Sequence, residues 1–263
     1  MTTAAMHIAR TGLDAQDTRM RVISNNLANV ATTGFKRDRA AFETLSYQVV
    51  TAPGAQSTGE TKYATGLNLG TGVRVQGTSR TETQGSMNQT GNSLDLALDG
   101  GGYFQVQMPG GQLGYTRAGN FSRSPEGLLI TSQGYQVMPG ITIPTNATQI
   151  TIGTDGTVTA TIPGQTEGQN LGQLQVASFP NPAGLESNGD NFLLETASSG
   201  AANMGVPGED GRGRVRQGTL EASNVNVVEE LVDMIETQRA YEVNSKMISA
   251  TDDMLKTVNQ NLS

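Results

Sequence analysis

The last 45 residues carry the longest helical pattern of hydrophobic and polar positions in the chain. Residues 219–263 contain no Gly or Pro, and Asn226 followed by Glu229 has the spacing of a capping box. The pattern therefore predicts a helix that begins near Asn226. Apolar residues recur in this helix in two stripes, and the positions that we expect to make contacts are Leu231, Met234, Gln238, Tyr241, Ile248 and Leu255 in one stripe and Val243, Met247 and Met254 in the other.

The two stripes favour two different packing partners, although a helix buried within its own domain remains an alternative. Residues 3–30 form a second helical pattern with a heptad seam, marked by Met6, Leu13, Met20 and Leu27 and by Ala9, Gln16, Ile23 and Val30. At about 1.5 Å per residue, each helix is on the order of 40 Å long or more. The N-terminal and C-terminal helices are each other's expected partners.

The first helix ends in a segment rich in Asn and Thr, which includes Asn26, Asn29, Gly34 and Phe35. Asn tolerates the left-handed conformation beyond a helix end, and Gly34 supplies conformational freedom before Phe35. One interpretation is a simple helix stop. The other is that these polar side chains bind backbone groups of a neighbouring chain, and the sequence does not decide between the two.

Between the helices the pattern changes to a period of two with frequent turns. Leu94, Leu96 and Leu98 alternate with polar or small residues and predict a half-buried strand, and Asp155-Gly156 predicts a hairpin turn. Gly100-Gly101-Gly102 is followed by a strand pattern, so a turn is favoured over a dinucleotide cradle. The predicted fold is mainly β with long terminal α-helices. The two helices pair as a coiled-coil-like stalk, and an antiparallel β-rich body lies between them in the chain.

Composition and net charge limit the classes of function that the chain can have. The 263 residues have a net charge of −7, no Cys, no Trp and one His, His7. The acidic balance argues against nucleic acid or an anionic membrane as a partner, and the lack of Cys excludes disulfides and thiolate sites. We expect no metal site, no cofactor and no membrane insertion. The N-terminus lacks the pattern of a cleavable signal peptide, so a protein that leaves the cytoplasm needs another export route.

No carboxylate pair has the arrangement of a catalytic site. Glu229-Glu230 and Asp252-Asp253 are adjacent on a helix and diverge, so we interpret them as solvated charges. Asp95 and Asp99 lie on one side of a strand and form the best candidate pair, but no general acid is evident. We therefore predict that the chain is not an enzyme. A secreted β-domain that binds cell-wall glycan is the alternative class, although it lacks the usual aromatic stacking platforms.

Two sets of residues at opposite ends of the chain resemble the terminal signatures of the bacterial flagellar rod and hook protein family. The N-terminal set is Asn25-Asn26-Leu27-Ala28-Asn29 with Thr33-Gly34-Phe35-Lys36, and the C-terminal set is Ser223-Asn224-Val225-Asn226, Met234 to Glu242 and Asn244-Ser245-Lys246. The segment from about residue 51 to residue 73 is most similar to the branch of the family that forms the distal part of the rod. A proximal rod or hook subunit is the neighbouring alternative.

The resemblance implies a structural subunit that polymerises helically with copies of itself into a rigid hollow shaft. It implies torque transmission, a central export channel, a periplasm-spanning location in the basal body, and contacts with proximal rod proteins, hook protein and the surrounding rings. It also implies three domains. These are a helical assembly domain of residues 1–36 plus 223–263, an irregular connecting domain of residues 37–92 plus 196–222 with a long loop at about 46–66, and a β-rich outer domain of residues 93–195.

Overall fold

The computed structural model describes residues 2–56, 64–163 and 168–262. The chain divides into two compact units. The first unit comprises Met1–Leu27, Asp38–Ser79 and Asn226–Ser263, and the second comprises Ala28–Arg37 and Arg80–Val225. The predicted class, a β-rich chain with a helix at each end, is confirmed, whereas the division into three domains stays a prediction.

The described residues of the first unit contain two long α-helices. Helix α1 covers Thr2–Ala28 and helix α2 covers Val227–Leu262. The Asn226 side-chain oxygen accepts a hydrogen bond of 3.1 Å from the Val228 N–H at the start of α2. This confirms Asn226 as the N-cap, because a cap residue satisfies one of the first unpaired N–H groups of a helix.

Four strands accompany the helices in the first unit. They form two two-stranded ribbons, β1 with β4 and β2 antiparallel to β3, and their bounds are Asp38–Thr44 (β1), Tyr47–Thr51 (β2), Leu67–Gly70 (β3) and Val73–Arg80 (β4). Strand β2 occupies the first part of the loop predicted at about 46–66. Residues 57–63 of that loop lie outside the described residues.

The second unit consists of short strands joined by turns. Their bounds are Met87–Gln89 (β5), Leu96–Asp99 (β6), Tyr103–Gln107 (β7), Leu113–Thr116 (β8), Ser122–Arg123 (β9), Leu129–Ile130 (β10), Gln136–Val137 (β11), Gln149–Ile152 (β12), Thr157–Thr161 (β13), Gln169–Gln173 (β14), Val176–Ser178 (β15), Glu186–Gly189 (β16), Phe192–Leu194 (β17), Asn203–Gly205 (β18), Arg214–Gln217 (β19) and Thr219–Glu221 (β20). Short 3-10 helices cover Pro109–Gly111 and Pro182–Gly184.

The largest sheet of the described residues runs in the order β16-β17-β8-β7-β11-β10-β9, and β15 joins it between β7 and β18. A three-stranded sheet has the order β12-β13-β14, and β6 pairs with β19 while β5 pairs with β20. The main core draws on several of these sheets, with buried residues that include Phe104, Phe121, Val158, Leu174 and Val215. The second unit is therefore held together by apolar contacts between sheets.

Two local expectations have clear outcomes in this unit. The hairpin at Asp155-Gly156 is confirmed, because β12 and β13 pair antiparallel with Ile152 opposite Val158. The half-buried strand around Leu96 is wrong in one respect, since Leu96, Ala97 and Leu98 are all buried. A strand that is covered on both faces does not show the alternation of a half-buried one.

Candidate assembly surface

The two helices of the first unit contact each other in antiparallel directions. Arg19 and Asp233 form an ion pair of 3.1 Å, and Asn26 donates a hydrogen bond of 3.2 Å to Glu230. Farther along, a Cβ atom placed on Gly12 would lie 3.1 Å from the Asn244 side-chain nitrogen. Residues near the end of α1 thus meet the start of α2, and the middle of α1 meets the middle of α2.

A polar stripe on α2 is buried instead of an apolar one. Glu230 is 3% exposed, Thr237 0% and Thr251 8%, and Asn244 is half-buried at the same seven-residue spacing. We refer to Glu230, Thr237, Asn244 and Thr251 as the polar stripe. The interpretation of Glu230 as a solvated charge is wrong, because Asn26 provides a buried hydrogen-bond donor that the local sequence pattern does not reveal.

The predicted contact residues fall into three groups by exposure. Ile23, Asn26 and Gly34 are buried. The half-buried group is Met6, Leu13, Met20, Leu27, Asn29, Phe35, Met234, Ile248 and Leu255. The exposed group is Leu231, Gln238, Tyr241, Val243, Met247 and Met254. Most of the apolar side chains predicted on α2 are therefore open to solvent in the single chain.

Further exposed apolar residues were not predicted from the sequence. On α2 they are Val228, which is 70% exposed, with Val232 and Ile235, and on the β2–β3 ribbon they are Tyr47, Val49, Val50, Leu67 and Leu69. Contiguous exposed apolar surface of this kind is typical of protein contact sites. A two-stranded ribbon is also only marginally stable alone. The sequence signal for an exposed apolar strand here was the adjacent pair Val49 and Val50.

The Asn26 side-chain amide also binds strand β1 of the first unit, with the two hydrogen bonds that a backbone amide would form. Its side-chain nitrogen donates to the Asp38 carbonyl at 2.9 Å, and its side-chain oxygen accepts from the Asp38 N–H at 2.9 Å. The side chain thereby pairs both backbone groups of one residue of β1. The Asn-rich segment at the end of α1 therefore binds backbone groups within the chain itself.

The Asn224 side-chain amide likewise binds backbone groups, here within the second unit. Its side-chain oxygen accepts from the Arg37 N–H at 2.7 Å, and its nitrogen donates to the carbonyls of Thr81 and Thr83 at 2.8 and 3.0 Å. The amide group thereby connects three chain segments that are distant in sequence. This backbone binding gives Asn224, a residue of the C-terminal signature, a structural role within the chain.

The second unit contains a buried charged cluster that the sequence analysis did not predict. The Glu221 carboxylate accepts from the Lys36 ammonium at 2.5 Å, from the Arg117 guanidinium at 3.4 Å and from the Gly85 N–H at 3.0 Å. The three charged side chains are nearly inaccessible to solvent. Burial lowers the pKa of Lys36, and the hydrogen bond and charge of Glu221 oppose that shift.

Tyr103 extends the polar contacts of the second unit. Its hydroxyl donates to the Glu82 carboxylate at 2.7 Å, and its ring lies under the Arg117 guanidinium at 5.6 Å. Burial, with Glu82 as a second cause, raises the pKa of Tyr103 far above its usual range. The side chain therefore stays a neutral donor, which fits a structural role.

The candidate catalytic carboxylates are engaged in structural contacts. Asp95 accepts hydrogen bonds from Thr90 and Asn92, and Asp99 forms an ion pair of 2.7 Å with Arg216. Among the described residues no group of three or more His, Cys, Asp or Glu is placed to hold a metal ion. In the same described residues, neither helix has the length and apolar character that crossing a membrane requires.

Three family descriptions match different parts of the chain. Residues 6–36 match "Flagella basal body rod protein", residues 97–160 match "Flagellar hook protein FlgE/F/G D1 domain", and residues 216–261 match "Flagellar basal body rod FlgEFG protein C-terminal". The first and third matches contain the two terminal signatures, and the second runs from the second residue of β6 through most of β13.

Full-length relatives give a consistent result. The chain is 50% identical to the flagellar basal-body rod protein FlgG of Buchnera aphidicola subsp. Acyrthosiphon pisum, over 97% of this chain and 98% of that protein. It is 48% identical to the FlgG of Caulobacter vibrioides, over 97% and 98% of the two chains. The FlgF of Caulobacter vibrioides is 33% identical over 95% of this chain and 96% of its own length.

Proposed function

We propose that this chain, which belongs to the bacterial flagellar rod and hook protein family, is a structural subunit of the distal rod. Membership of the family makes it a non-enzymatic component of the flagellar basal-body rod. The distal position is supported by the higher identity to FlgG than to FlgF within one organism, 48% against 33%. A proximal rod or hook subunit is the competing assignment within the family.

In this proposal, copies of the chain stack helically into a rigid hollow shaft that transmits torque and surrounds an export channel. Contacts between unlike surfaces of successive copies propagate without closing, as a filament requires. The two terminal helices pair as a coiled-coil-like stalk. The predicted contact residues of α1 and α2 that are exposed or half-buried in the single chain lie between subunits. The three domains predicted from the sequence are part of the same proposal.

The observation that supports polymerisation most strongly is the exposed apolar surface of α2. Val228, Val232 and Ile235 are each at least half exposed, and Val243 and Met254 farther along the helix are 58% exposed. Burial of apolar surface stabilises a contact by roughly 25 cal/mol per Å². A helix of 36 residues with this surface gains stability when other helices cover it.

The proposed partners follow from the same family. They are further copies of this chain, proximal rod proteins, the hook protein and the surrounding basal-body rings, with no nucleic acid and no membrane insertion. The proposed location is the periplasm-spanning part of the rod.

The test uses Ile235→Glu, which places a charge on the exposed apolar surface of α2. Ser249→Glu is the matched control, because it adds the same charge to an exposed polar position of the same helix. Purified full-length chains are concentrated, sedimented and imaged by electron microscopy. We expect wild type and Ser249→Glu to form sedimentable tubes and Ile235→Glu to stay small with an unchanged helical content.

Two results would count against the proposal. Tubes of normal appearance from Ile235→Glu would show that the apolar surface of α2 is not the assembly contact. A wild-type chain that stays monomeric and instead binds purified cell-wall glycan would favour the glycan-binding alternative.

A further inference from the structure

The hairpin of β16 and β17 in the second unit has an irregularity at Asn188. Its strands pair Ser187 with Leu193 and Gly189 with Phe192, so Asn188 has no opposite residue and forms a β-bulge. Asn188 and Gly189 are both exposed. A bulge residue lies outside the regular ladder of hydrogen bonds, so Asn188 has more conformational freedom than a paired strand residue.

Asn188 is the only Asn of the sequence that is followed by Gly. In an Asn-Gly pair, the backbone nitrogen of the Gly can attack the side-chain amide carbon of the Asn, because Gly has no Cβ atom to obstruct the approach. Among the described residues, a Cβ atom on Gly189 would meet only its chain neighbours within 4 Å, so the space around the attacking nitrogen is open. Sequence and fold therefore both favour cyclisation at this position.

The reaction at this pair needs water and no other reactant. The Gly189 nitrogen loses its proton and forms a bond to the Asn188 Cγ atom, ammonia leaves, and a succinimide ring closes. Water then opens the ring at either of its carbonyl carbons. Opening on one side gives aspartate, and opening on the other gives isoaspartate, in which the main chain runs through the former side chain. Either product replaces a neutral amide with a carboxylate, so the hairpin gains negative charge.

Another Asn of the second unit precedes a small residue but is held in place by the fold. Asn92 is followed by Ser93, and its side-chain nitrogen donates to the Asp95 carboxylate at 3.0 Å. Its side-chain oxygen accepts from the Leu94 N–H at 3.4 Å. The amide carbon cannot turn toward the next backbone nitrogen unless these hydrogen bonds break, which costs free energy. Asn92 therefore serves as an internal control for an Asn that the fold protects.

The turn that follows Gly189 binds the segment after α1. Asp190 and Asn191 form this turn with φ values of 48° and 63°, as a type I′ turn requires. The Asn191 side chain donates to the Thr33 carbonyl at 2.8 Å, and the Asn191 carbonyl accepts from the Thr116 hydroxyl at 3.0 Å. Isoaspartate at the bulge adds a methylene group, about 1.5 Å of main chain, just before the turn. The added length displaces Asn191 from Thr33.

We propose that Asn188 is a site of spontaneous modification, which converts to aspartate and isoaspartate in the folded chain, and that the isoaspartate form releases Thr33 from the hairpin. The extent of conversion records the age of a molecule, because the reaction requires only water and time. The isoaspartate form also presents an exposed isoaspartyl carboxylate, the chemical group that isoaspartyl methyltransferases recognise. The unmodified chain presents an amide there instead.

The modification is measured on the full-length chain, aged in mildly alkaline buffer with and without urea. Peptide mass spectrometry detects the gain of about 1 Da on deamidation, and methyl transfer from labelled S-adenosylmethionine by an isoaspartyl methyltransferase quantifies isoaspartate. We expect Asn188 to convert at least about tenfold faster than Asn92, because Gly follows the first and hydrogen bonds hold the second. The rate at Asn188 in the folded chain should lie within about threefold of the rate in urea, since the bulge leaves the residue unpaired. Asn188→Gln is the matched control, because its longer side chain requires a larger ring and should abolish the fast conversion.

Hydrogen exchange of a peptide that covers residues 28–37 measures the release of Thr33. The Gly34 N–H, next to Thr33, donates to the Glu221 carbonyl at 2.8 Å, so its exchange reports whether the segment stays bound. We expect faster exchange of this peptide in the isoaspartate form than in fresh protein. Asn191→Gly should give the same increase without ageing, because Gly tolerates the positive φ and removes only the amide that binds Thr33. Aged Asn188→Gln should exchange as fresh protein does.

Two results would overturn the inference. Conversion at Asn188 no faster than at Asn92, or more than about tenfold slower in the folded chain than in urea, would show that the fold does not expose this site to cyclisation. Unchanged exchange of residues 28–37 in the isoaspartate form would contradict the release of Thr33, whatever the effect of Asn191→Gly.

Discussion

Replacing Glu221 by Gln should destabilise the second unit strongly while leaving the shape of the side chain almost unchanged. Gln keeps an oxygen that can accept from the Gly85 N–H, so the change removes mainly the negative charge. Lys36 and Arg117 would then remain buried without their shared counter-charge. The variant therefore tests whether this cluster is a major structural contact.

The expected loss in free energy of unfolding follows from the burial of the charged cluster. Loss of one partner of a buried ion pair costs about 3–5 kcal/mol, because the remaining charge stays desolvated. Asp99→Asn is the matched control, since Asp99 pairs with Arg216 in the same unit with both side chains roughly half exposed. A surface pair of that kind contributes about 0.2–1 kcal/mol.

Urea denaturation of the full-length variants provides the measurement. The chain has no Trp, so near-UV circular dichroism of the buried Tyr103 and Tyr115, which pack against Phe179, reports the second unit. With an m-value of about 1–3 kcal/mol per M, a loss of 3 kcal/mol or more moves the midpoint by at least about 1 M. The shift of the urea midpoint for Asp99→Asn should be about one third of that amount or less.

A Glu221→Gln midpoint within the range of the Asp99→Asn control would refute the reasoning. It would mean that water reaches the cluster or that Lys36 sheds its proton at little cost. A large shift accompanied by a changed m-value would instead indicate that the unfolding transition is not two-state, and the free energy would then be taken from hydrogen exchange.

Three further changes test other contacts. Gly34→Ala should lower the thermal midpoint by an amount that corresponds to about 1–3 kcal/mol, because Gly34 has a φ of 69° and a Cβ atom would lie 2.6 Å from the Arg117 carbonyl carbon; an unchanged midpoint would contradict this. Asn26→Ala should lower the free energy of unfolding by about 1–3 kcal/mol and speed hydrogen exchange of the Asp38 amide. Unaltered protection of that amide would disprove this prediction. Phe104→Ala should cost about 3–5 kcal/mol in urea denaturation, and a loss below 1 kcal/mol would argue against the assigned core.

Elements with strong local signals could be predicted from the sequence. The long Gly-free and Pro-free run with a cap at Asn226 gave helix α2, and Asp155-Gly156 between two alternating runs gave the β12–β13 hairpin. The prediction that the chain is not an enzyme rested on composition and spacing, and its membership of a family of structural rod subunits supports it. Such features depend on residues that are close in the chain, so a local pattern is sufficient to find them.

The buried charges could not be found in this way. Glu221 meets Lys36 across 185 residues and Glu230 meets Asn26 across 204 residues. Each acidic residue has an ordinary local context, at the end of a strand or in the first turn of a helix, where a solvated charge is the usual expectation. Their burial depends on donors supplied from the other end of the chain.

The sequence alone determined that the chain has two long terminal helices, a β-rich middle and signatures of one structural family, because periodicity, turn residues and motif spacing are local properties. The tertiary structure decided which face of α2 lies against α1. The apolar heptads favoured a conventional hydrophobic seam, but the pairs of Asn26 with Glu230 and of Arg19 with Asp233 place a polar stripe there. Polar contacts between distant residues, which no local pattern reveals, therefore decide which side of α2 is buried and which apolar side chains stay exposed in the single chain.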